Sequence, residues 1–134
     1  MPVQFPLKPK GFSPFLEMVG VTFTKVGDGQ SRAVLKVTEK LLNSTRIVHG
    51  GATFTLADCG MGGALFSCLE EGERVRTVET KIAYFKGVKS GTLTCDSRVI
   101  HRSRSIAVLE SEIKQRGQLV AKALGTFSIF KGKE

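Results

Sequence analysis

Residues 50–69 read GGATFTLADCGMGGALFSCL and hold one charge, Asp58, in twenty positions. The run stops abruptly at Glu70-Glu71-Gly72-Glu73. Its length would admit a bilayer span. A carboxylate near the middle, five glycines and the absence of any second such run point instead to a central helix, apolar all round and therefore buried. Gly60, Gly62 and Gly63 weaken a helix. They let a neighbouring backbone or helix approach closely, and close packing is read ahead of the alternative that they open space in a pocket.

Outward from this run the chain changes period. Residues 12–18 predict a short helix opening at Ser13 with Pro14 at the first helical position. Residues 20–26 and 30–38 read as strands joined by Gly27-Asp28-Gly29, a tight-turn signal. In the second of them Ala33, Leu35 and Val37 alternate with Arg32, Val34 and Lys36, the period of a half-buried strand. Downstream, residues 75–86, 92–101, 105–114 and 119–130 read as four long strands, with Gly87, Gly91 and Arg116-Gly117 marking the turns. Leu93, Cys95, Ser97 and Val99 share one face, and Ile106, Val108 and Glu110 show the same period with a polar end. Two strands, a buried helix and four antiparallel strands predict an α+β architecture, a sheet of five or six strands wrapped around one long helix. That order is the skeleton of the hot-dog fold.

The 134 residues, 41% of them hydrophobic and 24% charged, are expected to form one globular domain, residues 1–134, with a core that needs no staples. Three cysteines without CxxC spacing argue against a disulfide framework or a zinc ribbon, and with only two histidines no metal site is expected. The opening residues 1–15 are broken by prolines and lack a basic start followed by an apolar run, so a cytoplasmic protein without a secretory leader is expected. Charge is unevenly spread. Residues 1–73 carry 7 basic and 7 acidic side chains, whereas residues 74–134 carry 13 and 5, so the net +8 lies in the second part. Such a half suits a polyanion or phosphorylated ligand, or serves solubility alone.

Two features could carry chemistry. His49-Gly50-Gly51 leads directly into the predicted helix, where unpaired N–H groups and the positive end of the helix dipole suit a developing oxyanion. The plainer reading is a Gly pair fitting a tight entry turn. Asp58 is flanked by Leu56, Ala57, Cys59 and Met61, and burial there should raise its pKa toward the range of a general base. The alternative is a buried Asp paired with an arginine or capping backbone amides. Gly51 and Asp58, seven residues apart, share a helix face but stand roughly 10 Å apart along the axis. One helix cannot offer both to one reacting group, whereas two antiparallel helices related by a two-fold axis can. An enzyme using both should be a dimer with shared sites.

Asn43, His49-Gly50-Gly51, Leu56-Ala57-Asp58, Thr77-Val78-Glu79 and Tyr84 together resemble the PaaI-like branch of the hot-dog acyl-CoA thioesterases. The match follows the family's element order over most of residues 15–130, and its core is HGG with an Asp eight residues after the first Gly. The resemblance implies that the Gly50 N–H polarises a thioester carbonyl. It implies that Asp58 of the partner subunit serves as general base or nucleophile, that Asn43 helps position water or thioester, and that Thr77 orients the group beside Asp58. His49, Gly51 and Tyr84 fall at substrate-binding positions. Between Asn43 and His49 this chain lacks the glycine often found in the family, and Cys59-Gly60 replaces the commoner small pair. Lys86, Arg102 and Arg104, at turns of the basic half, are candidates for the phosphates of coenzyme A. Phe85, Phe127 and Phe130 read as core or pocket wall.

The resulting expectation is a thioester hydrolase acting on an acyl- or aryl-CoA ester, working without a separate cofactor as a homodimer or dimer of dimers (a homotetramer), with no nucleic acid or membrane partner. Its first rival is a non-catalytic CoA-ester binding or sensing module on the same fold. A nucleic-acid binder is the second; against it stand one tyrosine, no tryptophan and no recognised motif. A dehydratase on this fold would need a His with a carboxylate, for which His49 is the candidate.

Overall fold

The apolar run becomes helix α2 (Gly50–Phe66) in the computed structural model, which describes Leu7 and residues 13–132. The opening segment read for a leader lies, Leu7 and residues 13–15 apart, outside the described residues. Around α2 are a short helix α1 (Pro14–Val19) and strands β1 (Val21–Gly27), β2 (Gln30–Lys36), β3 (Glu73–Tyr84), β4 (Thr92–Arg102), β5 (Ile106–Gln115) and β6 (Gln118–Lys131). All six strands form one antiparallel sheet in the order β1-β2-β4-β5-β6-β3. Sheet around helix is the hot-dog fold the sequence predicts. Among the described residues no helix is long and apolar enough to cross a membrane.

Local chemistry sets the ends of the elements. The Ser13 hydroxyl accepts the Leu16 N–H at the start of α1, and Pro14 occupies its first turn. Asp28-Gly29 and Arg116-Gly117 both have positive φ (53° and 73°, 50° and 78°) between the paired residues Gly27/Gln30 and Gln115/Gln118. They are two-residue hairpin turns whose twist suits the flanking strands. Helix α2 stops three residues before the apolar run does. There the Ser67 hydroxyl donates to the Ala64 carbonyl (2.7 Å) and accepts the Gly29 N–H (2.8 Å), stitching the helix end to the first hairpin.

Two expectations need correction. Gly87 and Gly91 do not close a hairpin, because β3 lies at the sheet edge against β6 while β4 pairs with β2 and β5. Residues 85–91 instead cross between them, anchored by buried Val88, whose carbonyl accepts the Val48 N–H at 2.8 Å. Helix α2 is also not buried all round. Phe54, Thr55, Asp58, Cys59, Gly62 and Phe66 are only half-buried and form an outward stripe.

The inner face of the sheet carries the expected Leu93, Cys95 and Ser97 on β4, and Ala107, Leu109, Ser111 and Ile113 on β5. Ile106, Val108 and Glu110 therefore form the opposite face of β5. On that outer face Arg98 and Lys122 pair with Glu110, and Lys114 and Lys122 with Glu112. Part of the basic excess is thus neutralised within the sheet.

Ser31, Ser97 and Ser111 stand side by side across β2, β4 and β5, all buried beneath α2. Ser31 donates to the Gly60 carbonyl (2.6 Å), Ser111 donates to the Ala57 carbonyl (3.2 Å), and the Ser97 and Ser111 hydroxyls share a hydrogen bond (2.6 Å). Every buried hydroxyl in this row is satisfied, which removes the desolvation cost of placing it in a core. Helix and sheet approach so closely that a Cβ at Gly60 would stand 2.6 Å from Ser97 Oγ and 2.9 Å from Cys95 Sγ. A Cβ at Gly63 would stand 2.6 Å from the Phe23 ring, whereas at Gly62 nothing among the described residues lies within 4 Å. Packing therefore accounts for Gly60 and Gly63 but not for Gly62. Gly63→Ala should cost about 1–3 kcal/mol by overpacking the buried Phe23 ring, and Gly62→Ala should gain up to about 1 kcal/mol of helix propensity. Thermal melts of the two variants, moving in opposite directions, check this.

Candidate active site

His49 caps α2 with an extended backbone (φ −61°, ψ 135°), and its Nδ1 accepts the Gly51 N–H at 2.8 Å. In the neutral ring this places the proton on Nε2. The two glycines thereby part company. The Gly51 N–H is spent on the cap, whereas the Gly50 N–H, first of the helix, meets no acceptor among the described residues. The Tyr84 hydroxyl donates to the Gly50 carbonyl at 2.9 Å, and the ring lies so close that a Cβ at Gly50 would be 3.3 Å from its Cζ. Burial pushes the Tyr84 phenol above its usual pKa.

Asn43 stands in the loop before this cap. Its Oδ1 accepts the Thr45 N–H (2.9 Å), the Thr45 hydroxyl (2.9 Å) and the Ile47 N–H (3.2 Å), leaving its NH2 group for a ligand. In the same loop Arg46 takes up the left-handed backbone (φ 67°), which glycine adopts more readily than other residues. Asn43, Gly50, Tyr84 and Lys86 line one cavity of about 320 Å³ with Ile47 and Val88.

Asp58 faces a different cavity. Its Oδ1 accepts the Thr77 hydroxyl at 2.9 Å. Between Thr77 and Glu79 a bulge leaves Val78 unpaired in the β3–β6 ladder. The extra residue bends and twists the strand, a common device for aiming a side chain. Burial pushes the Asp58 carboxyl above its ordinary pKa, and the Thr77 hydrogen bond opposes that rise. Beside it, the Cys59 thiol is pushed up to about 12, by burial first and then by the charge of Asp58 and by Cys95. It is no thiolate at neutral pH. This cavity, of about 330 Å³, is walled by Phe15, Leu16, Phe66, Val75 and Phe127.

The basic candidates fare differently. Arg102 donates to both Glu73 oxygens (2.9 and 3.0 Å) and to the Cys68 carbonyl, so its fork is committed to joining β4 to the chain entering β3. Contrary to expectation, that leaves it no fork to offer a phosphate. The Glu70 N–H and Arg102 together hold the Glu73 carboxyl below the usual range. Lys86 donates to Gln118 at the rim of the Gly50 cavity. Arg104 is exposed in the β4–β5 turn and lines a third cavity with Glu73, Ser105 and Lys131. Among the described residues no group of three or more His, Cys, Asp or Glu is placed to hold a metal ion.

The pattern of the thioesterase superfamily matches residues 46–122, more than half of the chain and inclusive of both cavities' helix. The acyl-coenzyme A thioesterase PaaI of Escherichia coli is 26% identical over 116 residues, covering 86% of this chain and 76% of that protein. The chain belongs to the thioesterase superfamily. A conserved protein of solved structure from Pseudomonas aeruginosa, PA5202, is 36% identical with a TM-score of 0.88, covering 93% of this chain and 100% of its own. The solved thioesterase HI1161 of Haemophilus influenzae shares the fold at a TM-score of 0.90 with 23% identity, covering 99% and 96%. As a member of the thioesterase superfamily, the chain is a thioester hydrolase.

Within it, six of the predicted residues fall into two half-sites, whereas His49 and Gly51 line a separate cavity with Phe15 and Ala52, and Arg102 and Arg104 lie apart from all of these. Asn43, Gly50, Tyr84 and Lys86 meet at the start of α2, with His49 behind them, and Asp58 meets Thr77 two turns further on. Gly50 and Asp58, eight residues apart on α2, are separated by about 12 Å along the axis. The first half offers a hydrogen-bond donor to developing negative charge, and the second offers a proton acceptor. Phe15 and Leu16 of α1 line the second half and were not singled out from the sequence, where only the prediction of a short apolar helix hinted at them.

Because the folded state raises the pKa of Asp58, the proton it holds stabilises the fold at acid pH. That contribution is lost as pH rises from the ordinary carboxylate range through the raised value. Asp58→Asn keeps an acceptor for Thr77 and does not titrate. Its Tm should exceed that of the parent at neutral pH, and the gap should close as pH falls through this window, as thermal melts against pH would register.

Proposed function

We propose that the thioesterase hydrolyses acyl- or aryl-CoA esters to the carboxylic acid and free CoA, in sites each built from two copies of the chain. The observation that carries this reading is the separation of the unpaired Gly50 N–H from the Asp58–Thr77 pair along one helix, in two cavities. Both must serve one thioester group, the N–H within about 3 Å of its oxygen and the carboxylate within reach of the water that attacks its carbon, so the donor comes from one copy and the carboxylate from another.

Strand β3 supports such a pairing. It is an edge strand, bonded on one side to β6, and over twelve residues its free edge offers backbone groups to another strand. Val78, at the bulge in its middle, is 58% exposed, and exposed Phe85 follows its end. Two β3 edges pairing antiparallel about that middle would set Tyr84 of one copy opposite Glu73 of the other. Such a pairing draws Gly50 of the first toward Asp58 of the second. A homodimer is the minimum assembly, and a dimer of dimers is compatible with it.

In this mechanism the Gly50 N–H and the Asn43 NH2 group donate to the thioester carbonyl oxygen. Asp58, ionised and oriented by Thr77, takes a proton from water as the water oxygen attacks the carbonyl carbon. The tetrahedral oxyanion is held by the same donors. Its collapse breaks the carbon–sulfur bond, and the proton on Asp58 leaves with the CoA thiol. The Gly51 N–H contributes through the His49 cap, which fixes the helix entry and the direction of Gly50. Lys86 and Arg104 are the candidates for the CoA phosphates.

Release of CoA thiol from a panel of acyl- and aryl-CoA esters tests the reading. Asp58→Asn should lose a hundredfold or more. Thr77→Val removes the bond that lowers the pKa of Asp58, so the acid limb of its pH–rate profile should move to higher pH. Gly50→Pro deletes the unpaired N–H while suiting a first helical position after extended His49. A refolded mixture of inactive Gly50→Pro and Asp58→Asn chains should regain up to about a quarter of the parent activity, since half the dimers then carry one intact site of two. No regain from a mixture that forms mixed dimers would refute shared sites. Tight binding of CoA esters with no turnover of any would favour the binding module instead.

A further inference from the structure

Of the three glycines in the middle of α2, packing within the chain requires two. At Gly62 alone of the three, no described residue lies within 4 Å of an added Cβ, in a helix interior where glycine is the poorest choice after proline. It lies one turn beyond Asp58 on the same face and lines the same cavity, and Phe66 stands a further turn along. Spaced four residues apart, the three positions are separated by about 6 Å each along the axis.

We propose that the acyl group of the substrate lies along this stripe of α2, running from Asp58 past Gly62 toward Phe66, and that Gly62 sets how long or broad an acyl group the enzyme accepts. The proposal rests on the reading of Asp58 as the group beside the thioester carbon. Around the stripe, Phe15 and Leu16 of α1, Val75 of β3 and Phe127 of β6 supply apolar walls. Phe15 is 55% exposed, an aromatic ring left for a ligand or a second copy to cover. Among the described residues of the lining Asp58 is the sole carboxylic acid, and none is a Lys, Arg or His. An acyl group ending in its own carboxylate would sit there with no countercharge and close to a like charge. The class assigned is therefore an uncharged, apolar acyl or aryl group long enough to pass Gly62, with dicarboxylic acyl groups excluded.

The test compares kcat/KM for acetyl-, hexanoyl-, decanoyl-, phenylacetyl- and glutaryl-CoA in the parent enzyme, Gly62→Val, the milder Gly62→Ala and Phe66→Ala. Gly62→Val should lower the decanoyl-to-acetyl ratio by about tenfold or more, the scale on which a hydrophobic pocket senses one or two carbons. Gly62→Ala should lower the ratio in the same sense by less, and it keeps the proposal testable if the valine variant fails to fold. Phe66→Ala should raise it, and glutaryl-CoA should be the poorest of the longer esters for the parent. Ratios within about twofold of the parent for both Gly62 variants would overturn the proposal, as would a parent that prefers glutaryl- over hexanoyl-CoA. The Asp58→Asn rate separates the two readings. If that variant stays fully active while the Gly62 ratios shift, the role of Asp58 falls and the acyl pocket stands. If that variant is inactive and the Gly62 ratios are flat, the catalytic reading stands and the pocket assignment falls.

Discussion

The closeness with which α2 lies on its sheet governs the rest of this molecule. Apolar side chains alone would hold the two layers at a distance set by their bulk. Here three hydroxyls, from Ser31, Ser97 and Ser111, reach the helix carbonyls of Ala57 and Gly60 directly or through one another. Hydrogen bonds are directional where hydrophobic contact is not. The row therefore fixes the rotation of α2 about its axis as well as its height above the sheet. Asp58 lies between the two bonded carbonyls in sequence, so the same tether that seats the helix decides which way the carboxylate points. Thr77, aimed from beside the bulge in β3, then meets it.

That seat has an electrostatic counterpart. A carboxylate on a helix wrapped by a sheet loses much of its hydration, and burial raises its pKa while a single hydroxyl pulls the other way. Fold stability alone would favour a neutral group at this position. Groups placed against the interest of stability are common where chemistry is done. At the other end of α2 the economy is reversed. His49 satisfies the Gly51 N–H, and the amide before it is left open.

Much of this was legible in the sequence because the relevant signals are local. The Asp28-Gly29 and Arg116-Gly117 turns, the Ser13-Pro14 helix start and the period of β2 and β4 follow from the conformational preferences of a few adjacent residues. The separation of Gly50 from Asp58 follows from helix rise alone. What stayed hidden depends on contacts between distant segments. Nothing local says that β3 sits beside β6 rather than β4, so Gly87 and Gly91 resemble a hairpin turn that does not exist. Arg102 looks like a free cation until Glu73 and the Cys68 carbonyl are brought to it. The oxygen of Asn43 looks available until its own loop folds back onto it. The division of labour among Gly60, Gly62 and Gly63 is likewise invisible in the letters, since it depends on where Ser97 and Phe23 arrive.

That division also bears on how such a protein can change over time. Position 60 is tied to Cys95 and Ser97, and position 63 to the Phe23 ring, so a new side chain at either demands a compensating change on another strand. A single step there loses stability before any compensation can arrive. Position 62 has no such partner among the described residues, and a substitution there enters a helix that welcomes it. One helical turn thus joins residues that can vary only in concert to one that can drift alone, beside the carboxylate of Asp58. A scaffold arranged in this way can explore new pocket shapes by single mutations without renegotiating its core.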